Sequence, residues 1–213
     1  MKILLVDDHA LFRAGLRLLL RAIRSDALIL EASDIDAALT IAAREPDLQL
    51  CLLDLMLRNE RGLDVLSRLR ELAPEVAIVI VSASEEPQAV RQSIDAGAMS
   101  FIPKSATPEE LSEALRQVLA GHVYLPSAVI SHLSQVPAPQ VSLTPRQTEV
   151  LNALSRGLVT KSIARELGLS EHTVKEYIGT LFQLLGVHNR TEAVVVASRL
   201  GLRSAAAGER LKS

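Results

Sequence analysis

Along the first half of the chain, short continuous apolar runs alternate with amphipathic stretches. The runs are Ile3–Val6, Leu28–Leu30, Leu50–Leu53, Val76–Val81 and Met99–Ile102. Runs this short, apolar at successive positions, predict strands buried on both faces, as a parallel sheet requires. Between them the spacing becomes helical, as in Leu11, Leu16, Leu18–Leu20 and Ile23, or in Leu63, Leu66, Leu69 and Leu72. Regular alternation of the two periods predicts an α/β fold, a doubly wound five-stranded parallel sheet. The last helix of this half is expected over Pro108–Ala120. Thr107 is its N-cap, Pro108 occupies its first turn, Glu109 and Glu110 sit at its positive end, and Gly121 stops it.

From Ser127 to Ser142 the pattern lapses into two prolines, small polar residues and no charge. This reads as a linker, with a short helical start expected at Ala128–Leu133. Beyond it only the helical period remains. Thr144-Pro145 open one helix, supported by Glu149 and ended by Gly157; Lys161–Leu167 form a second, ended by Gly168. Ser170 caps a third over about Glu171–Leu185, and a fourth runs from near Thr191 to around Gly201. The tail, Arg203–Ser213, is small and polar and is expected to fray. In the third helix Val174, Ile178, Leu181 and Leu185 make a buried stripe, which turns His172, Lys175, Glu176, Gly179 and Gln183 outward. Two helices joined by the tight Gly168-Leu169-Ser170 turn have the plan of a helix-turn-helix. Periodicity alone fits an ordinary small bundle too.

At 213 residues the chain has room for two domains, each with its own core. Three Phe, two Tyr and no Trp mean aliphatic cores and too few rings to bind nucleic acid by stacking. The net charge of −2 hides an asymmetry. Residues 1–126 carry 13 Lys and Arg against 19 Asp and Glu, whereas residues 142–213 carry 10 against 6. Only the second half is therefore suited to a polyanion. The single cysteine, Cys51, excludes an intramolecular disulfide and reads as a small core residue. The acidic, strand-like start is unlike a signal peptide, and no apolar stretch reaches the ~18 residues of a spanning helix. A cytoplasmic protein without membrane contact is expected.

Chemistry concentrates where the strands end. Asp7 and Asp8 follow the first run and Asp54 follows the third. In an open parallel sheet, ligands bind beyond the carboxyl ends of the strands, where the strand order reverses. With the first strand central and the third beside it, these carboxylates converge, and their repulsion calls for a hard divalent cation such as Mg²⁺. Ser82 and Lys104 end two further strands on the same edge and can hold the oxygens of a phosphoryl group seated on Asp54. Taken singly, each has a blander reading: Asp7-Asp8 as a helix N-cap, Ser82 and Lys104 as solvated polar groups. Their joint occurrence favours the phosphoryl site.

These residues give Met1–Gly121 its resemblance to the receiver domain of bacterial two-component response regulators, a flavodoxin-like fold. The resemblance implies that Asp7, Asp8, Asp54 and the backbone carbonyl of Met56 hold Mg²⁺, and that Asp54 is the phosphoacceptor. It also implies Ser82 as switch hydroxyl, Lys104 as phosphate-contacting cation and Phe101 as switch aromatic, although Phe101 reads equally as core. The family usually carries Met-Pro in the loop after the acceptor; here the run is Asp54-Leu55-Met56-Leu57. Leu11, Phe12 and Leu16 on the first helix are candidates for docking the kinase.

The second half resembles the LuxR-type DNA-binding domain through Leu143-Thr144-Pro145-Arg146-Gln147, Ile163-Ala164, Leu167, Ser170–Lys175 and Asn189–Ala193. The whole is similar to NarL/FixJ-type response regulators: a receiver over 1–121, a linker over 122–141, an all-α four-helix helix-turn-helix domain over 142–202 and a disordered tail over 203–213. The resemblance implies a sensor histidine kinase and promoter DNA as partners, and a homodimer on activation. It places DNA contacts at Lys161, Thr173, Lys175, Glu176, Gly179 and Arg190. Thr160, Tyr177 and Leu184 stand where the family often has Asn, His and Lys, and Glu176 and Gly179 replace apolar or basic base-facing residues. DNA binding by one domain is thus expected to be weak or unusually selective. No catalytic triad or nucleotide loop is present, so the chain is not expected to be an enzyme beyond phosphoryl transfer to and from Asp54. The alternative is an adaptor whose C-terminal domain binds protein rather than DNA.

Overall fold

The computed structural model describes residues 1–57, 62–84, 86–126, 142–187 and 189–199. The chain divides into two compact units, Met1–Val129 and Ile130–Ser213. The expected helix at Ala128–Leu133, the end of the fourth helix at Gly201 and the expected tail all lie outside the described residues.

In the first unit five strands alternate with five helices: β1 Lys2–Val6, α1 Ala10–Ile23, β2 Leu28–Ala32, α2 Ile35–Arg44, β3 Leu48–Leu53, α3 Gly62–Leu72, β4 Ala77–Ser82, α4 Pro87–Asp95, β5 Ser100–Pro103 and α5 Pro108–Leu119. The sheet is wholly parallel in the order β2-β1-β3-β4-β5, with β1 inside and β3 beside it. Successive side chains point to opposite faces, so both faces need apolar residues and the runs read as continuous. Ile3, Leu5, Leu50, Leu52, Val79, Val81 and Ile102 pack on one face against Leu16 and Leu20 of α1 and Leu111, Leu115 and Val118 of α5. Leu4, Val6, Cys51, Leu53, Ile78, Ile80 and Phe101, the alternate positions, are equally buried.

All five strands differ from their apolar runs at one end or both: β1 begins one residue earlier, at Lys2, and β3 two earlier, at Leu48. β2 continues through Glu31 to Ala32, and β4 and β5 each begin and end one residue later than expected. Ser82 is therefore the last residue of β4 rather than the residue after it. In α5 the expected cap is a full capping box, Thr107 Oγ1 accepting from Glu110 N and Glu110 Oε2 from Thr107 N.

The second unit contains α6 Pro145–Ser155, α7 Thr160–Leu167, α8 Glu171–Leu185 and α9 Arg190–Arg199. Thr144 caps α6, but its box partner is Gln147; Glu149 instead pairs with Arg146 at 2.6 Å. Gly168 closes α7 in the left-handed region at φ 64°, which frees the chain to turn within two residues. Ser170 Oγ then accepts from Thr173 N at 3.0 Å and starts α8. Val174, Leu181 and Leu185 join Val150, Leu151, Leu154, Ile163, Ala193 and Ala197 in the core, with Ile178 packed half-buried at its margin. α9 starts at Arg190, a residue before expectation, because Asn189 Oδ1 accepts from Glu192 N at 2.9 Å.

Candidate functional site

Pairing aligns the carboxyl ends of the five strands: Val6 lies beside Ala32 and Leu53, Leu53 beside Ile80, and Ser82 beside Pro103. One more ladder bond fixes each of the next residues. Asp7 N donates to Ala32 O at 3.2 Å, Asp54 N to Val6 O at 2.9 Å and Lys104 N to Ser82 O at 2.8 Å. Asp7, Asp54 and Ser82 are buried there, although their side chains are polar.

Lys104 Nζ reaches back over this edge to 2.7 Å from Asp54 Oδ2 and 2.8 Å from Asp7 Oδ2, passing 4.7 Å above the Phe12 ring. Asp54 Oδ1 accepts from Met56 N at 2.9 Å, and Asp7 Oδ1 accepts from His9 N at 2.8 Å. Asp8 Oδ1 lies 2.9 Å from His9 Nδ1. Donor atoms of Asp7, Asp8, His9 and Asp54 fall within 4.8 Å of one another. One ammonium cannot neutralise three carboxylates so closely set, and hard oxygen donors with that residual charge could hold a divalent metal ion. Burial pulls the Lys104 ammonium down; hydrogen bonds to Asp54 and Asp7 and their charges outweigh it and hold it above its usual 10.5. Lys104 is thus a cation wherever the site operates.

The sequence-identified receiver residues meet here, with one set apart. Ser82 Oγ is fully buried and accepts from Ser84 N at 3.2 Å. Met56 comes to Asp54 through its amide, its side chain exposed. Phe101 pairs with Ile80 as Pro103 pairs with Ser82, so it shares the sheet face of Ser82 one pair further from the site, fully buried. Asp7-Asp8 are not an N-cap: His9 occupies that position of α1 without a capping side chain. Of the docking candidates, Leu16 is core, Phe12 lies under Lys104, and Leu11 is 89% exposed.

Three residues of the site went unnoticed in the sequence. His9 completes the donor cluster. Arg13 Nη1 donates to the Asp7 carbonyl while its Nε donates to Glu31 Oε2 at 3.0 Å, tying the acidic loop to β2. Gly62 N donates to Leu55 O at 3.1 Å, and a Cβ on Gly62 would stand 2.4 Å from Leu55 Cα. Backbone meets backbone there, one residue before Met56 in the chain. His9 and Arg13 could have been found by their place, just after the acidic pair and one turn into α1; nothing local marks Gly62.

In the second unit α8 presents His172, Lys175, Glu176, Gly179 and Gln183 to solvent, as the stripe predicted, and Lys161 of α7 is exposed as well. His172 Nε2 lies 3.7 Å from Glu176 Oε1. Thr173 is half-buried, its Oγ1 2.8 Å from Ser170 Oγ. Arg190 is placed differently: Nη2 donates to the carbonyls of Leu154 and Leu158 at 2.9 and 2.8 Å, at the end of α6. Among the described residues no helix is long and apolar enough to cross a membrane.

The sequence matches the response regulator receiver domain over residues 3–116 and the luxR family of bacterial regulatory proteins over residues 141–197. It is 36% identical to the glycerol metabolism activator of Pseudomonas putida, covering 92% of this chain and 94% of that protein. Identity to the nitrate/nitrite response regulator NarP of Escherichia coli is 35%, covering 92% and 93%. A LuxR family DNA-binding response regulator from Silicibacter pomeroyi shares the fold at TM-score 0.53 and 34% identity, over 60% of this chain and 98% of that one. With a parallel five-stranded unit, a unit with four helices among its described residues and both matches in the same order, this chain belongs to the NarL/FixJ-type response regulators, which join a receiver domain to a LuxR-type DNA-binding domain.

Proposed function

We propose that Asp54 accepts a phosphoryl group from a sensor histidine kinase and that the modified receiver controls promoter binding by α7 and α8. The observation that carries this reading is Lys104 Nζ at 2.7 Å from Asp54 Oδ2, in a carboxylate cluster with excess negative charge whose Asp7 and Asp54 are buried. An Asp54 carboxylate oxygen attacks phosphorus, the P–N bond of the phosphohistidine breaks, and the imidazole nitrogen keeps the electron pair and takes up a proton. Asp7, Asp8, Asp54 and the Met56 carbonyl would hold Mg²⁺, which neutralises phosphoryl oxygens when bound. Lys104 follows the new charge, the Ser82 hydroxyl donates to a phosphoryl oxygen, and Phe101 repacks behind it. The result is a population shift between two receiver states, with a homodimer as the DNA-binding form. Phosphoryl transfer to and from Asp54 is the only chemistry assigned to the chain.

The domains run over 1–121 and 142–202, joined by a linker over 122–141, and the protein works in the cytoplasm. Lys161, Thr173, Lys175, Glu176 and Gly179 form the DNA-facing set. Arg190 serves it indirectly, by holding the end of α6 against the turn into α7. The luxR-family match over residues 141–197 weighs against a protein-binding adaptor. Acetyl phosphate labelling with and without Mg²⁺ tests the reading. Wild type becomes labelled in the presence of Mg²⁺, gains mass as a dimer and shifts promoter DNA; Asp54→Ala does none of these. Equal labelling of both proteins overturns it.

A further inference from the structure

We infer that Glu176 is the specificity-determining residue of α8 and selects cytosine at one position of each DNA half-site. This rests on the reading that α8 enters the major groove, and it names what the helix would recognise there. Glu176 is well exposed on the outward face, and its Oε1 lies 3.7 Å from Nε2 of His172, one turn back. An ionised carboxylate only accepts hydrogen bonds. In the major groove guanine offers two acceptors, thymine an acceptor and a methyl group, and adenine a donor beside the N7 acceptor. Cytosine alone offers its N4 amino group with no acceptor on the same base to repel the second oxygen.

Gly179 follows Glu176 by three residues and so lies on the same side of α8. It is exposed, and apart from its chain neighbours and its own helix backbone no heavy atom stands within 4 Å of where its Cβ would be. No side chain there competes with Glu176, and the helix backbone can approach the base edges by the depth of the missing group. Lys175 beside it is exposed and supplies the positive charge that keeps a carboxylate tolerable near phosphates. Glu176 repels every DNA and is compensated only by the right base. It therefore lowers general affinity and raises selectivity.

The full-length protein, treated with acetyl phosphate, is used to select from a randomised duplex library, followed by competition with single-base variants of the selected site. Wild type selects cytosine at one position per half-site, and replacing that base weakens binding roughly tenfold. Glu176→Gln transfers the preference to adenine, whose N6 and N7 a carboxamide can engage together. Glu176→Ala binds all four bases alike at that position and holds unrelated DNA more tightly than wild type. If Glu176→Ala and Glu176→Gln select the wild-type sequence unchanged, the inference is overturned while DNA reading by α8 stands. If wild type selects no sequence at all, that reading fails and the inference with it.

Discussion

Gly62 shows how much of the phosphoryl site depends on a residue that carries no chemistry. Its Cα rests against the backbone of Leu55, so any side chain forces Gly62 and the Leu55 backbone, next to Met56, apart. Leu57, buried at 7% exposure, anchors the other end of the Leu55-Met56 segment, and these two contacts hold a loop that lacks the family's proline. Gly62→Ala is expected to cost about 1–3 kcal/mol of stability through overpacking. It should weaken Mg²⁺-dependent phosphorylation several-fold while far-UV circular dichroism stays native. Unchanged melting and labelling would remove the clamp from the account. Asp7, Asp8, Asp54, Ser82 and Lys104 were legible because each ends an apolar run, and the fold brings such ends together. Gly62 was not, since its partner, the Leu55 backbone, is set by tertiary contact and leaves no mark on neighbouring residues, while His9 and Arg13 are marked only by their place after the acidic pair. Cys51 was read correctly as core, and burial pushes its thiol up to about 12. The folded state therefore keeps the proton while an unfolded thiol, at about 9, releases it. Stability from this group is intact below pH 9 and declines as pH rises toward 12. Between pH 8 and 10.5 the unfolding free energy from denaturant titration should fall further for wild type than for Cys51→Val, by about 2 kcal/mol.

Elements were predicted best where one cue sufficed. β1 and β3 lie inside the sheet and announce themselves as apolar runs, while β2, an edge, was read only to Leu30. Glu31 breaks its pattern because it faces Arg13 and Arg17 of α1 at 3.0 and 2.9 Å, a pairing that local periodicity cannot reveal. The helix-turn-helix was legible through its punctuation: Gly168 and Ser170 are both where a left-handed stop and an N-cap are needed. What holds α6 to the segment leading into α7 was not, and it is Arg190 at the start of α9. Removing this guanidinium takes a donor from the half-buried Leu158 carbonyl, while Leu154 O keeps Gly157 N at 2.9 Å, at roughly 1–3 kcal/mol for a lost buried partner. Arg190→Ala should lower the melting of the second unit and leave that of the receiver unchanged. Lys175→Ala should do the reverse of this on DNA: no change in melting, weaker binding to all sequences and a salt slope shallower by about one unit. If Arg190→Ala instead leaves melting intact and flattens the salt slope, Arg190 contacts phosphate.

Over the whole molecule charge is divided as function is: the receiver is acidic, and the second half carries the surplus of Lys and Arg. That surplus overstates what DNA can use. Arg146 and Arg156 are paired with Glu149 and Glu166, and Arg190 is spent on backbone carbonyls. Among the described residues of the second unit, Lys161, Arg165 and Lys175 are exposed without an ion-pair partner. Each phosphate neutralised contributes about −0.9 to the slope of log K against log salt. Three cations per domain give a slope of roughly −3, and a dimer on two half-sites roughly −5. A single domain so sparsely charged binds poorly, so phosphorylation that promotes pairing has large leverage on occupancy without altering any DNA contact. Fluorescence anisotropy of a labelled promoter duplex between 50 and 300 mM KCl, with and without acetyl phosphate, measures this directly. The slope should approach twofold steeper on phosphorylation as one domain becomes two. A slope near −10, or the same slope in both states, would mean that cations beyond these three carry the DNA, or that pairing is not how the receiver acts.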